Sequence, residues 1–244
     1  MRRTIHFSVD DMIEAFEWLC QNERTVTSIF EAQSFHILKG LHEKYGIDVS
    51  CFCFYRRGAF SLSMVPDRWR EELQDNSGWL RFGFHGYDES SNYNNAGSEQ
   101  AAEEYEMVTG ELVRITGGGD CITPAIRIHF CSGNEAVTAA LAERGVKRLF
   151  CGDDDRINYG LSPEANDKLL REGQYRHPEN SLLYSLTHVR LEKMRTAEGA
   201  AAARQRIAGA REGGLVVFTH EKYLTDENVM RHLEGILTTD TERK

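Results

Sequence analysis

Thr4-Ile5-His6-Phe7-Ser8-Val9-Asp10-Asp11 opens the first apolar run of the chain and closes it on two adjacent carboxylates. The construction recurs along the sequence. Leu80-Arg81-Phe82-Gly83-Phe84 leads into His85, with Asp88 and Glu89 close behind, and Ile126-Arg127-Ile128 leads into His129. Val146 to Cys151 leads into Asp153, Asp154 and Asp155, and Leu215-Val216-Val217-Phe218-Thr219 leads into His220. Each short β-like run thus delivers an imidazole or a carboxylate at its C-terminal end. In parallel α/β architectures that rim is where binding and catalytic groups are placed. The recurrence predicts a metal-assisted or acid–base site.

Helical patterns separate the runs. Glu31 to Tyr45 carries Phe35, Leu38, Leu41 and Tyr45 at helical spacing and stops at Gly46. Gly97 to Ile115 places Tyr105, Val108, Leu112 and Ile115 on one face, and Asn134 caps a helix closed by Gly145. Thr196 to Arg211 and Asp226 to Leu237 complete the helical set, Leu182 to Leu191 reads as strand, and Arg156 to Pro178 reads as a loop or hairpin. Alternating strands and helices imply a parallel sheet with crossover helices. Six or seven such units predict one α/β domain over residues 1–244, a distorted or incomplete (β/α)7 barrel, with an open doubly wound sheet as second choice. No GxGxxG or GxxxxGK[ST] follows a strand, so the sequence shows no phosphate cradle.

Composition narrows the function classes. Among 244 residues, 38 acidic against 29 basic side chains give a net charge of −9, without a basic stripe, which argues against nucleic acid as a partner. No apolar stretch approaches the ~18 residues a membrane span needs, so no membrane partner is expected. The first strand begins within a few residues of Met1. The cysteines Cys20, Cys51, Cys53, Cys121, Cys131 and Cys151 show no paired CxxC spacing. Together these features predict a cytoplasmic protein with reduced, buried thiols.

The candidate site residues follow from the strand ends. Adjacent residues on a strand face opposite ways unless the strand has broken, so Asp10 and Asp11 can divide the work: Asp11 as metal ligand, Asp10 as base. The bland alternative makes one of them a helix cap for Met12 to Cys20. In His85-Gly86-Tyr87-Asp88-Glu89, a helical turn would aim His85 and Glu89 at one ion, whereas a solvated turn would not. Gly86 removes a side chain where something must approach closely. His220 can act as acid or base near neutral pH. His129 has either an orienting or a packing role. Asp153, the first of the acidic run, either orients His220 or belongs to a solvated turn. His188 and Arg190 alternate on a strand and could line a pocket. His6, His36, His42, His177 and His232 are assigned to packing or surface.

Read in order, the clusters resemble the polysaccharide deacetylase family of metal-dependent carbohydrate esterases. Phe7-Ser8-Val9-Asp10-Asp11 matches the first motif, and Val216-Val217-Phe218-Thr219-His220 the last. In the second motif, His85 matches and Glu89 stands where a second histidine would be. In the third, Gly133-Asn134 fits, while His129 takes the arginine's place, with Arg127 two residues earlier. The resemblance implies a distorted seven-stranded barrel and a metal-dependent hydrolase that removes acetyl groups from N-acetylated or O-acetylated carbohydrate. It implies Asp10 as base, His220 as general acid, and one divalent metal ion on Asp11, His85 and Glu89. Zinc comes first, with manganese, magnesium or iron also suited to an Asp–His–Glu set. The two departures leave room for a non-catalytic carbohydrate-binding relative, or for a barrel hydrolase of another carbon–nitrogen bond. Oligomeric state is not legible.

Overall fold

Parallel strands buried on both faces read as continuous apolar runs, and the longest strands of the chain have that character. In the computed structural model, which describes residues 4–154, 157–210 and 214–241, they are β1 (Ile5–Met12), β2 (Val49–Phe54) and β3 (Leu80–Gly86). Four short strands follow: β4 (Ala125–Ile126), β5 (Arg148–Phe150), β6 (Leu183–Ser185) and β7 (Val189–Arg190). The last strand is β8 (Leu215–His220). The helices are α1 (Glu14–Gln21), α2 (Gln33–Tyr45), α3 (Arg70–Asp75), α4 (Ser98–Thr116), α5 (Glu135–Glu143), α6 (Pro163–Glu172), α7 (Ala197–Gly209) and α8 (Glu227–Thr241).

The strands pair in parallel in the order β7-β8-β1-β2-β3 and again as β4-β5-β6. Two junctions join these arcs. Between β3 and β4, a bridge at Phe82 and Ile122 and a 2.9 Å hydrogen bond from the Thr123 amide to the Phe82 carbonyl carry the sheet across. On the other side, the run from Leu183 to Arg190 begins on β5, with Leu149 opposite Tyr184, and ends on β8, with Val189 opposite Val217. That run is one strand interrupted at residues 186–188. Counted so, seven strands close into a distorted (β/α)7 barrel, and the open sheet drops out.

Several local expectations change. The segment from Arg156 to Pro178, expected as a loop or hairpin, contains α6, which Ser162 caps through a 3.2 Å hydrogen bond from the Ala165 amide, and then a short strand, Gln174–Arg176, that forms an antiparallel hairpin with β6. The predicted helix from Glu31 splits into a 3-10 turn (Ile29–Glu31) and α2, which ends where Gly46 takes φ 64°. Asp155 and Arg156, in the acidic run and the expected loop, lie outside the described residues, as does Arg211 at the expected end of α7.

The barrel interior is unusually polar for a core. His6, Ser8 and Asp10 alternate along one face of β1, and the His6 ring stacks on Phe150 with centroids 4.0 Å apart. Burial, then the charges of Arg127 and Arg148, push the His6 pKa down to about 3, so this ring is neutral and structural. Gly83 lines the same interior: a Cβ there would meet Thr123 Cγ2 at 3.0 Å and Ile126 Cγ2 at 3.1 Å, so only glycine lets β3 and β4 approach.

Candidate active site

Asp10 and Asp11 reach different partners because β1 breaks between them. The β1–β2 register shifts between Val9 and Met12, and Asp11 takes φ 60°, a left-handed conformation that a non-glycine residue seldom holds. The bulge cancels the alternation that would otherwise turn Asp11 away from the barrel mouth. Neither carboxylate caps α1. That role falls to Glu221, whose carboxylate accepts from the amides of Ile13, Glu14 and Ala15, each at 2.8 Å.

Asp10 is 1% exposed and its Oδ1 accepts from Arg127 Nη1 at 2.9 Å. The same guanidinium donates to Ser8 Oγ and Thr187 Oγ1, both at 3.0 Å, and lies 4.0 Å from the centre of the Phe218 ring. A buried ion pair holds only when its remaining polar atoms are also engaged, and Ser8, Thr187 and the aromatic face meet much of that demand. The reading that puts His129 in the arginine's place is therefore corrected: Arg127 holds the base. Arg127 follows the two-residue β4 and turns inward, so the two-residue offset from His129 does not remove it.

Asp11 faces two imidazoles. Its Oδ1 is 3.1 Å from His85 Nε2 and 4.0 Å from His129 Nε2. His85 Nδ1 lies 2.6 Å from the Arg127 carbonyl, and His129 Nδ1 lies 3.2 Å from the Ser91 carbonyl. A carbonyl only accepts, so each Nδ1 carries the proton and each Nε2 presents a lone pair. Asp11 Oδ1 and His85 Nε2 are then two acceptors facing each other, which is why both are buried without a hydrogen-bond donor despite their closeness. Atoms of Asp11, His85 and His129 lie within 4.8 Å of one another, an arrangement able to hold a metal ion.

The electrostatics agree with a cation-seeking site. Burial opposes a charge on Asp11, but His85, which can donate from Nε2 only when protonated, and the nearby imidazoles hold its carboxyl well below the usual range. Burial also opposes protonation of His85, yet Asp11 and Asp10 draw its pKa upward. His129 is lowered to about 4, by burial first and the charge of His85 second, so it is a neutral ring at neutral pH. The cluster therefore attracts one positive charge, from a proton on His85 or from a cation.

Glu89 is not part of this cluster. β3 stays extended through Gly86 and then bends, so His85 and Glu89 never share a helical turn, and Glu89 is exposed. The group that approaches Gly86 is Ser91, whose Cβ would sit 3.1 Å from an added Cβ, rather than a ligand. His129 stands where the Asp–His–Glu expectation put Glu89.

His220 neighbours Asp10 in register, and its Nδ1 makes a very short contact with the Glu192 carboxylate. Glu192 also accepts from Arg190 Nε at 2.8 Å and from Thr219 Oγ1 at 3.1 Å. Burial works against its ionisation, but His220 and Arg190 prevail and lower its pKa to about 2. The expected partner of His220, Asp153, is engaged elsewhere: Lys193 Nζ lies 2.8 Å away and Arg206 Nη1 3.7 Å away. Glu192 replaces it. Its sequence signal was the alternation His188, Arg190, Glu192, in which only the first two residues drew notice. His188 Nδ1 accepts from the Val216 amide at 3.1 Å, a cross-strand tie.

No family model and no curated protein matches the chain. Solved structures do. A putative polysaccharide deacetylase from Mycobacterium smegmatis aligns over 98% of this chain and 85% of its own, with TM-score 0.61 and 14% identity. The chain has the fold of the CE4 polysaccharide deacetylases. A family 4 acetyl xylan esterase from Clostridium thermocellum, solved with a cobalt ion, gives TM-score 0.53 and 12% identity over 98% of this chain and 85% of that one. A CE4 family pseudoenzyme from Bacillus anthracis gives TM-score 0.51 and 10% identity over 99% of this chain, which spans 62% of that protein's length. Identities this low speak to the fold alone.

Proposed function

We propose that this chain is a divalent-metal-dependent hydrolase that removes acetyl groups from N-acetylated carbohydrate. One observation carries the reading: three acceptor atoms, from Asp11, His85 and His129, converge at the barrel mouth with no hydrogen-bond donor among them. Zinc suits two imidazoles and a carboxylate best, and manganese or iron would also be accepted. A divalent ion bound there would polarise the acyl oxygen and acidify a water.

The protein's own contribution is to place proton carriers on either side. Asp10, held in place by Arg127, accepts the proton of the attacking water. His220, oriented by Glu192, returns a proton to the leaving amine, a step typically worth about 10²–10⁴ in rate. The carboxylate neighbour keeps the imidazole in one tautomer, as in other hydrolytic triads.

The test pairs elemental analysis with acetate release from N-acetylglucosamine oligomers. Purified protein should bind about one ion per chain, and Asp11→Ala should lose both ion and turnover. Protein that takes up no zinc or manganese and releases no acetate would overturn the proposal. Metal uptake without turnover would favour a carbohydrate-binding role instead.

A further inference from the structure

We infer that Tyr93 is a positioning residue for the metal centre: anchored on Glu104 of α4, it fastens the segment after β3 onto the turn that carries His129. The inference rests on the metal-dependent reading and deepens it by naming what fixes the third ligand. The two imidazoles of the cluster are held very differently. His85 lies within β3, which pairs along its length with β2, and its side chain is 2% exposed. His129 stands three residues beyond the two-residue β4, 12% exposed, on a turn where Phe130 and Cys131 take φ 59° and 50°. Left-handed backbone at two such residues persists only where surrounding contacts impose it. The ladder of β4 ends at Ile126, so the shape of the turn must come from other contacts.

Residues 87–97 supply them. The Ser91 carbonyl accepts from His129 Nδ1 at 3.2 Å, which leaves Nε2 as the ligating atom. The Tyr93 amide donates to Ser132 Oγ at 3.0 Å, and Asn94 Oδ1 accepts from the Gly133 amide at 3.0 Å. Asn134 Nδ2 closes the seam on the carbonyls of Asn94 and Ala96, at 3.2 and 3.0 Å. Tyr93 is the buried pivot of the segment, 1% exposed, with its ring edge-on to Phe84 at 5.9 Å. Its hydroxyl accepts from the Tyr87 amide at 3.2 Å and donates to Glu104 Oε2 at 2.5 Å. Glu104 is in turn held by Gln100, one turn earlier on α4, through a 2.9 Å hydrogen bond. The phenol therefore ties the start of the segment to a helix, while the amide of the same residue ties its middle to the ligand turn. A partner on the second nitrogen of a ligating histidine fixes the tautomer and direction of the ring, and losing it typically costs about 10–100-fold in metal affinity. The segment expected to supply Glu89 as a ligand instead orients the ligand that stands in its place.

The experiment measures zinc and cobalt affinity, the visible absorption of the cobalt form, and the His129 tautomer by imidazole nitrogen NMR on metal-free protein. Tyr93→Phe and Glu104→Ala should each weaken binding of both ions about tenfold, change the intensity of the cobalt bands, and turn the single Nδ1–H tautomer of His129 into a mixture. Glu104→Gln keeps an acceptor for the phenol and should restore wild-type values. Tyr105→Phe removes another buried phenol, one on α4 that bonds to Thr109 rather than to the segment, and should leave affinity and tautomer unchanged. A purely structural role predicts a lower Tm in Tyr93→Phe with wild-type affinity and tautomer. That result overturns the proposal while the metal-dependent reading stands. If wild type takes up neither ion, that reading fails by itself and the tautomer decides. A mixture in Tyr93→Phe then supports the positioning role, and an unchanged His129 overturns it.

Discussion

The two arcs of the barrel hold their shares of the site differently. On one arc, β1, β2, β3 and β8 run six to eight residues and are almost wholly buried. Asp10, Asp11, His85 and His220 stand at or near the ends of those strands. On the other side, with β7 counted as the continuation of β6, β4 to β7 are two or three residues each, and Arg127, His129 and Glu192 come from irregular backbone beside them. The long arc presents reactive groups in fixed register. The short arc supplies what aligns them: Arg127 for Asp10, Glu192 for His220, and His129 to complete the cluster on Asp11 and His85. Irregular backbone suits that task because it is free of the two-residue alternation that dictates where a strand's side chains point.

The contrast can be broken from the short arc first. Arg127→Met leaves Asp10 buried without its donor and should lower unfolding free energy by about 3–5 kcal/mol in urea titration. A loss under 1 kcal/mol would show that the long arc holds its carboxylate unaided.

Glu192→Gln acts through pH. The Glu192 pKa is depressed in the fold, from 4.5 to about 2, so its stabilisation is present above the unfolded value and is lost as pH falls toward 2. Thermal melts should show wild type losing up to about 3 kcal/mol between pH 5 and pH 2 that Glu192→Gln does not lose. Parallel melting curves for the two proteins would refute the pairing.

His129→Ala should weaken zinc or manganese binding by about 10²-fold in calorimetry, the upper range found even for groups that only support a metal ligand. The smallest effect sharpens the comparison: Glu89→Ala, on an exposed turn, should leave metal affinity within about twofold and stability within about 0.5 kcal/mol. A reversal of these two results would return the third ligand to the segment after β3.

Legibility in the sequence followed the same division. Apolar runs long enough to be buried on both faces announced β1, β3 and β8, and with them Asp10, Asp11, His85 and His220 at the rim. Glu89 misled because spacing from His85 suggests a shared face only if the backbone coils, and here it stays extended through Gly86 before bending. Arg127 is visible in the sequence but lies two residues before the position that a motif in strict register gives it. Asp153 looked available to His220, since nothing in a linear pattern shows that Lys193 and Arg206 already engage it.

By itself, the sequence determined that strands alternate with helices in one parallel α/β domain and that acidic and imidazole groups gather where the strands end. Burial demands continuous apolar runs, and such runs are local and readable. Tertiary structure alone decided which of those groups meet. Closure through the interrupted run from Leu183 to Arg190, the bulge at Asp11 and the turn at Phe130 bring together residues more than a hundred positions apart. Their distances depend on backbone conformations that residue type does not encode.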